Sequence, residues 1–248
     1  MMTGSRRDEG ERSGRRQPAG GLAAVFLDGD YEDVAYYREW ARAADLVVAA
    51  DGGGRFLAAA GVVPDALVGD FDSLDEEAVA AAGRRGARVV RHPVRKDQTD
   101  GELAVDEALR EGADELVLAG ALGALDHVLG HLALLGRVEG QGTPARLVSP
   151  GLTVRVLDAG ATVTLDAGPG TRVSLASLDG GVIVTLTDFD YELERGRLPG
   201  DACLGLGNAV ARAGATIRVH EGRVAVLVFD GRETFGGLRR LGDAGSPA

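Results

Sequence analysis

From Gly21 onward, short apolar runs alternate with amphipathic segments, the rhythm of strands and helices woven into a parallel sheet. Ala23 to Leu27, Leu46 to Ala50, Ala66 to Val68, Arg88 to Val90 and Glu115 to Ala119 are the predicted strands. Tyr31 to Ala44, Gly54 to Ala60, Glu76 to Arg85, Asp100 to Glu111 and Asp126 to Gly136 are the predicted helices. The pattern changes after about Gly140, where β-branched residues alternate with small or polar ones and Gly, Asp and Pro recur every several residues. There the predicted strands are Arg146 to Ser149, Thr153 to Leu157, Ala161 to Leu165, Arg172 to Ala176, Val182 to Leu186, Thr216 to Glu221 and Arg223 to Phe229. Glu221-Gly222-Arg223 reads as a tight hairpin turn.

The predicted fold is thus α/β plus all-β. A Rossmann-like parallel-sheet domain over 21–140 is followed, across the Gly140 to Pro144 linker, by an antiparallel β-sandwich over 145–238. The Arg-, Gly- and Ser-rich stretch 1–20 reads as a disordered leader, and the segment from Gly231 carries no clear pattern.

Composition narrows the function without naming it. With 248 residues, 45% apolar and 26% charged, the chain can build one large core or two modest ones. A net charge of -11 with few aromatics argues against a nucleic-acid platform, so an acidic substrate would need a metal or a local basic patch. Cys203 is the sole cysteine, which rules out an intrachain disulfide or cysteine zinc site and makes a reducing, cytoplasmic setting the expectation. No apolar run approaches the roughly 20 residues of a membrane span, so no membrane partner is expected.

The chemistry gathers where strands end. Asp51 follows the apolar run Leu46 to Ala50 and precedes Gly52, Gly53 and Gly54, and ligands of open α/β sheets collect at such carboxyl ends. The glycines suit either close approach of a ligand or a plain strand-to-helix turn. Gly69-Asp70-Phe71-Asp72-Ser73 follows the next strand. If the backbone stays extended there, both carboxylates project to one side and offer hard oxygen ligands suited to Mg²⁺. Asp72 or Ser73 can instead cap the helix around Glu76. Lys96-Asp97-Gln98-Thr99-Asp100 repeats the arrangement after a further strand, with Thr99 or Asp100 as a helix cap. Asp126-His127 opens the next helix, where Asp126 can cap or reach the site and His127 can sit on the helix surface or serve as base or phosphate contact. Clustered carboxylates repel unless a cation joins them, so their recurrence points to a metal-dependent reaction centre.

With these segments assembled, the chain resembles the thiamine pyrophosphokinase family. The matching residues are Ala50-Asp51-Gly52-Gly53, Pro64-Asp65 leading into Gly69-Asp70-Phe71-Asp72-Ser73, Lys96-Asp97-Gln98-Thr99-Asp100, and Leu125-Asp126-His127. The resemblance runs from Gly21 to Phe229. It implies an α/β catalytic domain followed by a β-sandwich that helps bind thiamine, and a homodimer with its active sites at the subunit interface. It implies transfer of pyrophosphate from ATP to the hydroxyethyl oxygen of thiamine, releasing AMP. On that basis Asp70, Asp72 and Asp100 would hold Mg²⁺, with Asp51 a further candidate, and Lys96 would touch the phosphates. Asp97 and Gln98 would orient nucleotide or metal-bound water, with Ser73 and Thr99 beside them. Gly52, Gly53, Asp126 and His127 would line the nucleotide side.

Two departures stand out. Where the family commonly has Gly-Gly-Arg before its Asp-His pair, this chain has Leu122-Gly123-Ala124, so a phosphate-binding arginine is missing; Arg95 or Arg91 is the expected compensation. Where the family usually has Ser-Asn followed by an aromatic, this chain has Gly207-Asn208-Ala209-Val210, leaving Asn208 and Gly207 as the acceptor-binding candidates. The sole tryptophan, Trp40, lies in the first half. Two alternatives follow: a pyrophosphokinase for another heterocyclic alcohol, such as a pterin, and a catalytically weak nucleotide- or thiamine-binding regulator.

Overall fold

The computed structural model describes residues 21–229 apart from Ser73, Arg95 and Lys96. The leader 1–20, the roles expected of Ser73, Arg95 and Lys96, and the stretch after Phe229 lie outside the described residues.

The first half forms the alternating series β1 (Leu22–Phe26), α1 (Val34–Ala43), β2 (Leu46–Ala50), α2 (Gly53–Ala59), β3 (Ala66–Gly69), α3 (Glu76–Arg84), β4 (Arg88–Arg91), α4 (Asp100–Arg110), β5 (Glu115–Ala119), α5 (Leu125–Gly140) and β6 (Ala145–Ser149). The six strands are parallel in the order β6-β5-β1-β2-β3-β4. Their apolar runs are continuous because both faces are covered. Ala23, Val25 and Leu27 pack with Leu103, Val105, Leu134 and Leu135 of α4 and α5. Ala24 and Phe26 pack with Tyr37, Leu57 and Val79 of α1, α2 and α3. The two-residue period of β1 thus feeds two cores at once.

The second half contributes β7 (Leu152–Asp158), β8 (Thr162–Thr164), β9 (Arg172–Ser177), β10 (Gly181–Thr187), β11 (Leu193–Pro199), β12 (Asn208–Ala209), β13 (Thr216–Glu221) and β14 (Arg223–Phe229). One sheet runs through both halves in the order β12-β9-β14-β7-β6-β5-β1-β2-β3-β4, and a second sheet, β11-β10-β13-β8, packs on its antiparallel end. Leu157, Leu175, Val184, Ile217 and Val226 fill the space between. The expected class, a parallel α/β layer plus an antiparallel sandwich, is the one observed.

Four local expectations are corrected. Arg146 to Ser149 belongs to β6, which pairs parallel with β5; a short apolar run looks the same whichever neighbour it chooses. Glu221-Gly222-Arg223 is not a hairpin, because β13 pairs with β10 and β8 while β14 pairs with β7 and β9. Gly222, at φ +80°, instead turns the chain from one sheet into the other. Strand β11 escapes notice because its sequence, LERGRLP, is charged and only Leu198 is buried, as an edge strand permits. α5 extends to Gly140, beyond the expected stop at Gly136, which packs against the Arg223 guanidinium rather than ending the helix.

Candidate functional site

All parallel strands point the same way, so the loops that follow β1 to β5 share one edge of the sheet. Each carries carboxylates: Asp28 and Asp30 after β1, Asp51 after β2, Asp70 and Asp72 after β3, Asp97 and Asp100 after β4, and Asp126 after β5. Asp28 was not singled out from sequence. It obeys the same rule as the others, an aspartate directly after an apolar run, and that signal would have found it.

Close packing of this edge accounts for the glycines. Asp51 is buried and has φ 37°, a left-handed conformation that ends β2 abruptly. Its amide still donates to Val68 O (3.0 Å), and Gly54 N donates to Asp51 O (2.8 Å), closing the turn into α2. A Cβ on Gly52 would lie 1.8 Å from Asp28 Oδ1, and one on Gly53 would lie 2.1 Å from Phe26 O. The need for glycine at both positions therefore comes from β1 and its loop. α2 is only seven residues long.

Gly69 is the point of convergence. A Cβ there would sit 3.3 Å from Asp51 Cβ and 3.3 Å from Asp100 Oδ1, so the loops after β2, β3 and β4 bring two carboxylate residues against one glycine. Beyond it the chain does not stay extended. Phe71 takes φ 62° and is buried beneath the Arg91 guanidinium, 5.1 Å from the ring centroid, while Asp72 N donates to Asp70 Oδ1 (3.2 Å). The expectation that Asp70 and Asp72 project together from an extended backbone is thereby corrected: burying Phe71 requires the turn. The expected cap at Asp72 or Ser73 is also replaced, since Asp75 caps α3 by accepting from Glu77 N.

In the next loop Thr99 forms a full capping box with Glu102, which fixes the first turn of α4 and presents Asp100 within it. Glu107, buried two turns further on, pairs with Arg88 of β4 at 2.5 Å and ties α4 to the sheet. Gln98 Nε2 donates to Asp106 Oδ2 (2.8 Å), so its amide braces the loop against α4. Asp97 is exposed. Arg91 pairs with Glu76 at 2.7 Å.

Across the edge, Tyr31 fills the crevice between β1 and β5. Its hydroxyl donates to Leu27 O (2.6 Å) and lies 3.3 Å from Ala119 O, and its ring stacks on Phe56 with centroids 3.8 Å apart. Burial holds its proton well above the usual tyrosine range. Asp126 does not cap α5: the cap position is Ala124, and Asp126 Oδ1 accepts from His127 N (2.9 Å). Both are exposed. His131, one turn on, also escaped the sequence reading. Its Nδ1 must donate to Ala121 O (2.8 Å), since a carbonyl only accepts, and this pins the β5–α5 loop. Its Nε2 faces Gly101 in the first turn of α4, and burial lowers its pKa, favouring the neutral ring.

Asn208 lies far along the same sheet, in β12. It is buried, its Oδ1 accepts from Tyr191 N (3.1 Å) and Ala209 N (2.9 Å), and its Nδ2 donates to Tyr191 O (2.9 Å). The amide thus clamps the backbone of Tyr191, a residue that is 74% exposed. Gly207, at φ +75°, donates its amide to Ser174 Oγ (3.1 Å). Tyr191 was missed because it sits in the acidic loop from Asp188 to Glu192, ahead of β11, where no apolar period marks an element.

Among the described residues, no three His, Cys, Asp or Glu side chains are grouped closely enough to form a preformed metal cage. Mg²⁺ does not require one, since it usually takes one or two carboxylates and completes its shell with waters and substrate phosphates. Asp100, whose Oδ1 lies 3.3 Å from the Cβ position of Gly69, and Asp70, next after Gly69, fit that partial donor set. Among the described residues, no helix is long and apolar enough to cross a membrane.

Comparison with known proteins gives the site its context. Residues 37–147, which span the edge from α1 to β6, match the family described as thiamin pyrophosphokinase, catalytic domain. The chain is 26% identical over 185 residues to the thiamine pyrophosphokinase of Bacillus subtilis (strain 168), covering 73% of this chain and 86% of that protein. Its structure is similar to that of thiamin pyrophosphokinase from Geobacillus thermodenitrificans, with TM-score 0.70 at 27% identity over 88% of this chain and all of the other. The fold also matches thiamin pyrophosphokinase from Candida albicans, with TM-score 0.71 at 14% identity over 84% and 89% of the two chains.

Proposed function

Because the chain carries the catalytic domain of the thiamine pyrophosphokinase family, an enzyme family, we propose that it transfers the terminal pyrophosphate of ATP to the hydroxyl of thiamine and releases AMP. The observation that carries this reading is the convergence of Asp51 and Asp100 on Gly69, directly before Asp70, inside the matched domain. Displacement at the β-phosphorus builds charge on phosphate oxygens, so catalysis is largely positioning and neutralisation. Asp70, Asp72 and Asp100 would hold Mg²⁺, with Asp51 beside them, and the ion when bound would neutralise that charge. The chain itself sets the carboxylates in place: the capping box of Thr99 orients Asp100, and the turn at Phe71 orients Asp70. A carboxylate at this edge also takes the proton released by the acceptor hydroxyl.

The acceptor is received at the other end of the sheet. Tyr191 presents an aromatic face among Asp188, Asp190, Glu192 and Glu194, a setting that favours a cationic heterocycle such as a thiazolium. β12, which carries Asn208, is seven strand positions from β2, which leads into Asp51. At about 4.8 Å per strand this is roughly 30 Å, too far for one small acceptor to bridge within a protomer. The reading therefore includes a homodimer in which the Tyr191 loop of one protomer faces the aspartates of its partner. Exposed Leu125 and Leu129 on α5, and exposed Leu204 and Leu206 beside β12, supply apolar surface at both places. ATP and thiamine are the proposed small-molecule partners, and the cytoplasm the proposed setting.

Incubation of the purified protein with ATP, MgCl₂ and thiamine, followed by chromatography, tests the reaction. AMP and thiamine diphosphate should appear in equal amounts. AMP formed only with a different heterocyclic alcohol would overturn the thiamine assignment, and no turnover with any acceptor would overturn the enzyme reading. Tyr191→Ala should raise the KM for thiamine about tenfold or more while leaving the KM for ATP within about twofold, as removal of a cation–π contact and its apolar cover predicts. An unchanged thiamine KM would move the acceptor site elsewhere.

A further inference from the structure

Nucleotide phosphates approaching this edge need a cation, because it carries Asp28, Asp51, Asp70, Asp72, Asp97 and Asp100. A divalent ion offsets only part of that charge. Of the two arginines near the edge among the described residues, Arg91 is committed: it pairs with Glu76 at 2.7 Å and covers the ring of Phe71. Arg55 differs. It lies in the first turn of α2, four residues after Asp51, and its Nη2 is 3.1 Å from Asp28 Oδ1. That same oxygen abuts the backbone of Gly52, so the guanidinium is held at the acidic edge itself.

We propose that Arg55 binds the β- and γ-phosphates of the nucleotide, with Asp28 holding its guanidinium in readiness until they arrive. This rests on the pyrophosphokinase reading above. The geometry suits exchange of partners. Both side chains of the Arg55–Asp28 pair are more than half exposed, at 54% and 57%. An exposed pair of this kind contributes little stability, so a phosphate can compete for the guanidinium. A phosphate is the better partner, since it accepts two parallel N–H bonds from the planar fork and carries more charge than one carboxylate. Asp28 acts as a positioning residue, holding the guanidinium 3.1 Å from its Oδ1 at the edge that the phosphates approach.

Isothermal titration calorimetry of ATP and of AMP, each with MgCl₂, should be run on wild type, Arg55→Ala, Arg55→Lys and Asp28→Asn, together with the KM for ATP. Arg55→Ala should weaken ATP about tenfold or more and leave AMP within about twofold, because AMP lacks the β- and γ-phosphates. Arg55→Lys should recover part of the loss, as a point charge replaces a fork. Asp28→Asn, which releases the guanidinium from its position, should weaken ATP but by less than Arg55→Ala does, and an ATP affinity equal to wild type in this variant would remove the positioning role of Asp28. An ATP affinity within about twofold of wild type in Arg55→Ala overturns the proposal, as does an equal loss for AMP. Wild type that binds ATP yet forms no thiamine diphosphate overturns the reaction while the Arg55 comparison still stands; wild type that does not bind ATP overturns both.

Discussion

Asp100→Asn is expected to lower kcat by about 10²-fold or more while leaving the thermal midpoint unchanged or slightly raised. The two effects share one cause. Asp51 Cβ and Asp100 Oδ1 each lie 3.3 Å from the Cβ position of Gly69, and like charges brought to one place oppose folding unless a cation joins them. Neutralising one of the two relieves that repulsion but removes an oxygen donor with full negative charge. The helix carrying it should be unaffected, because the Thr99–Glu102 capping box is independent of residue 100 and Glu107 still anchors α4 to Arg88. The variant should also need more Mg²⁺ for half-maximal rate, a shift that a merely structural residue would not produce. Activity near that of wild type at ordinary Mg²⁺ concentrations would remove Asp100 from the metal centre, and a large loss of stability would make its role structural.

Gly53→Ala is expected to lower stability strongly for so small a change. Its new methyl would lie 2.1 Å from Phe26 O and 2.5 Å from Phe26 C, both backbone atoms of the fully buried β1. Nothing flexible can yield, so α2 must move off the sheet. Overpacking of this kind typically costs about 1–3 kcal/mol, which for a chain of this size lowers Tm by roughly 3–10 °C. Because α2 carries Arg55 and follows Asp51, activity should fall as well. Gly61→Ala provides the contrast: its Cβ would meet nothing within 4 Å, so only the strain of φ +75° remains, and its effect should be smaller. Equal midpoints for Gly53→Ala and wild type, measured by scanning calorimetry, would refute the steric account.

Much of the site was legible because the rule that reveals it is local. An aspartate directly after a buried apolar run must lie at a strand's carboxyl end, and parallel strands bring those ends to one edge whatever their order. This is why Asp51, Asp70 and Asp72 could be placed at one edge from the linear pattern, while Asp100 and Asp126 were placed there because each opens the helix that follows a strand. The same rule would have yielded Asp28 had it been applied to β1. What each side chain does once there was not legible. Gln98 braces Asp106, Asn208 clamps Tyr191, and Asp126 leaves the cap position to Ala124. Each depends on a partner whose position is set by packing rather than by sequence spacing.

By itself, then, the sequence determined the fold class, the strand and helix series of the first half, and the acidic edge, since hydrophobic period and strand-end position are properties of neighbouring residues. Only the tertiary structure decided that β6 joins β5, that Gly222 turns between sheets, that Gly52 and Gly53 are required by β1, that Asn208 holds the Tyr191 backbone and that Arg55 pairs with Asp28. Those outcomes rest on contacts between segments distant along the chain, where one-ångström clearances and shared hydrogen bonds choose among arrangements that the local pattern leaves equivalent.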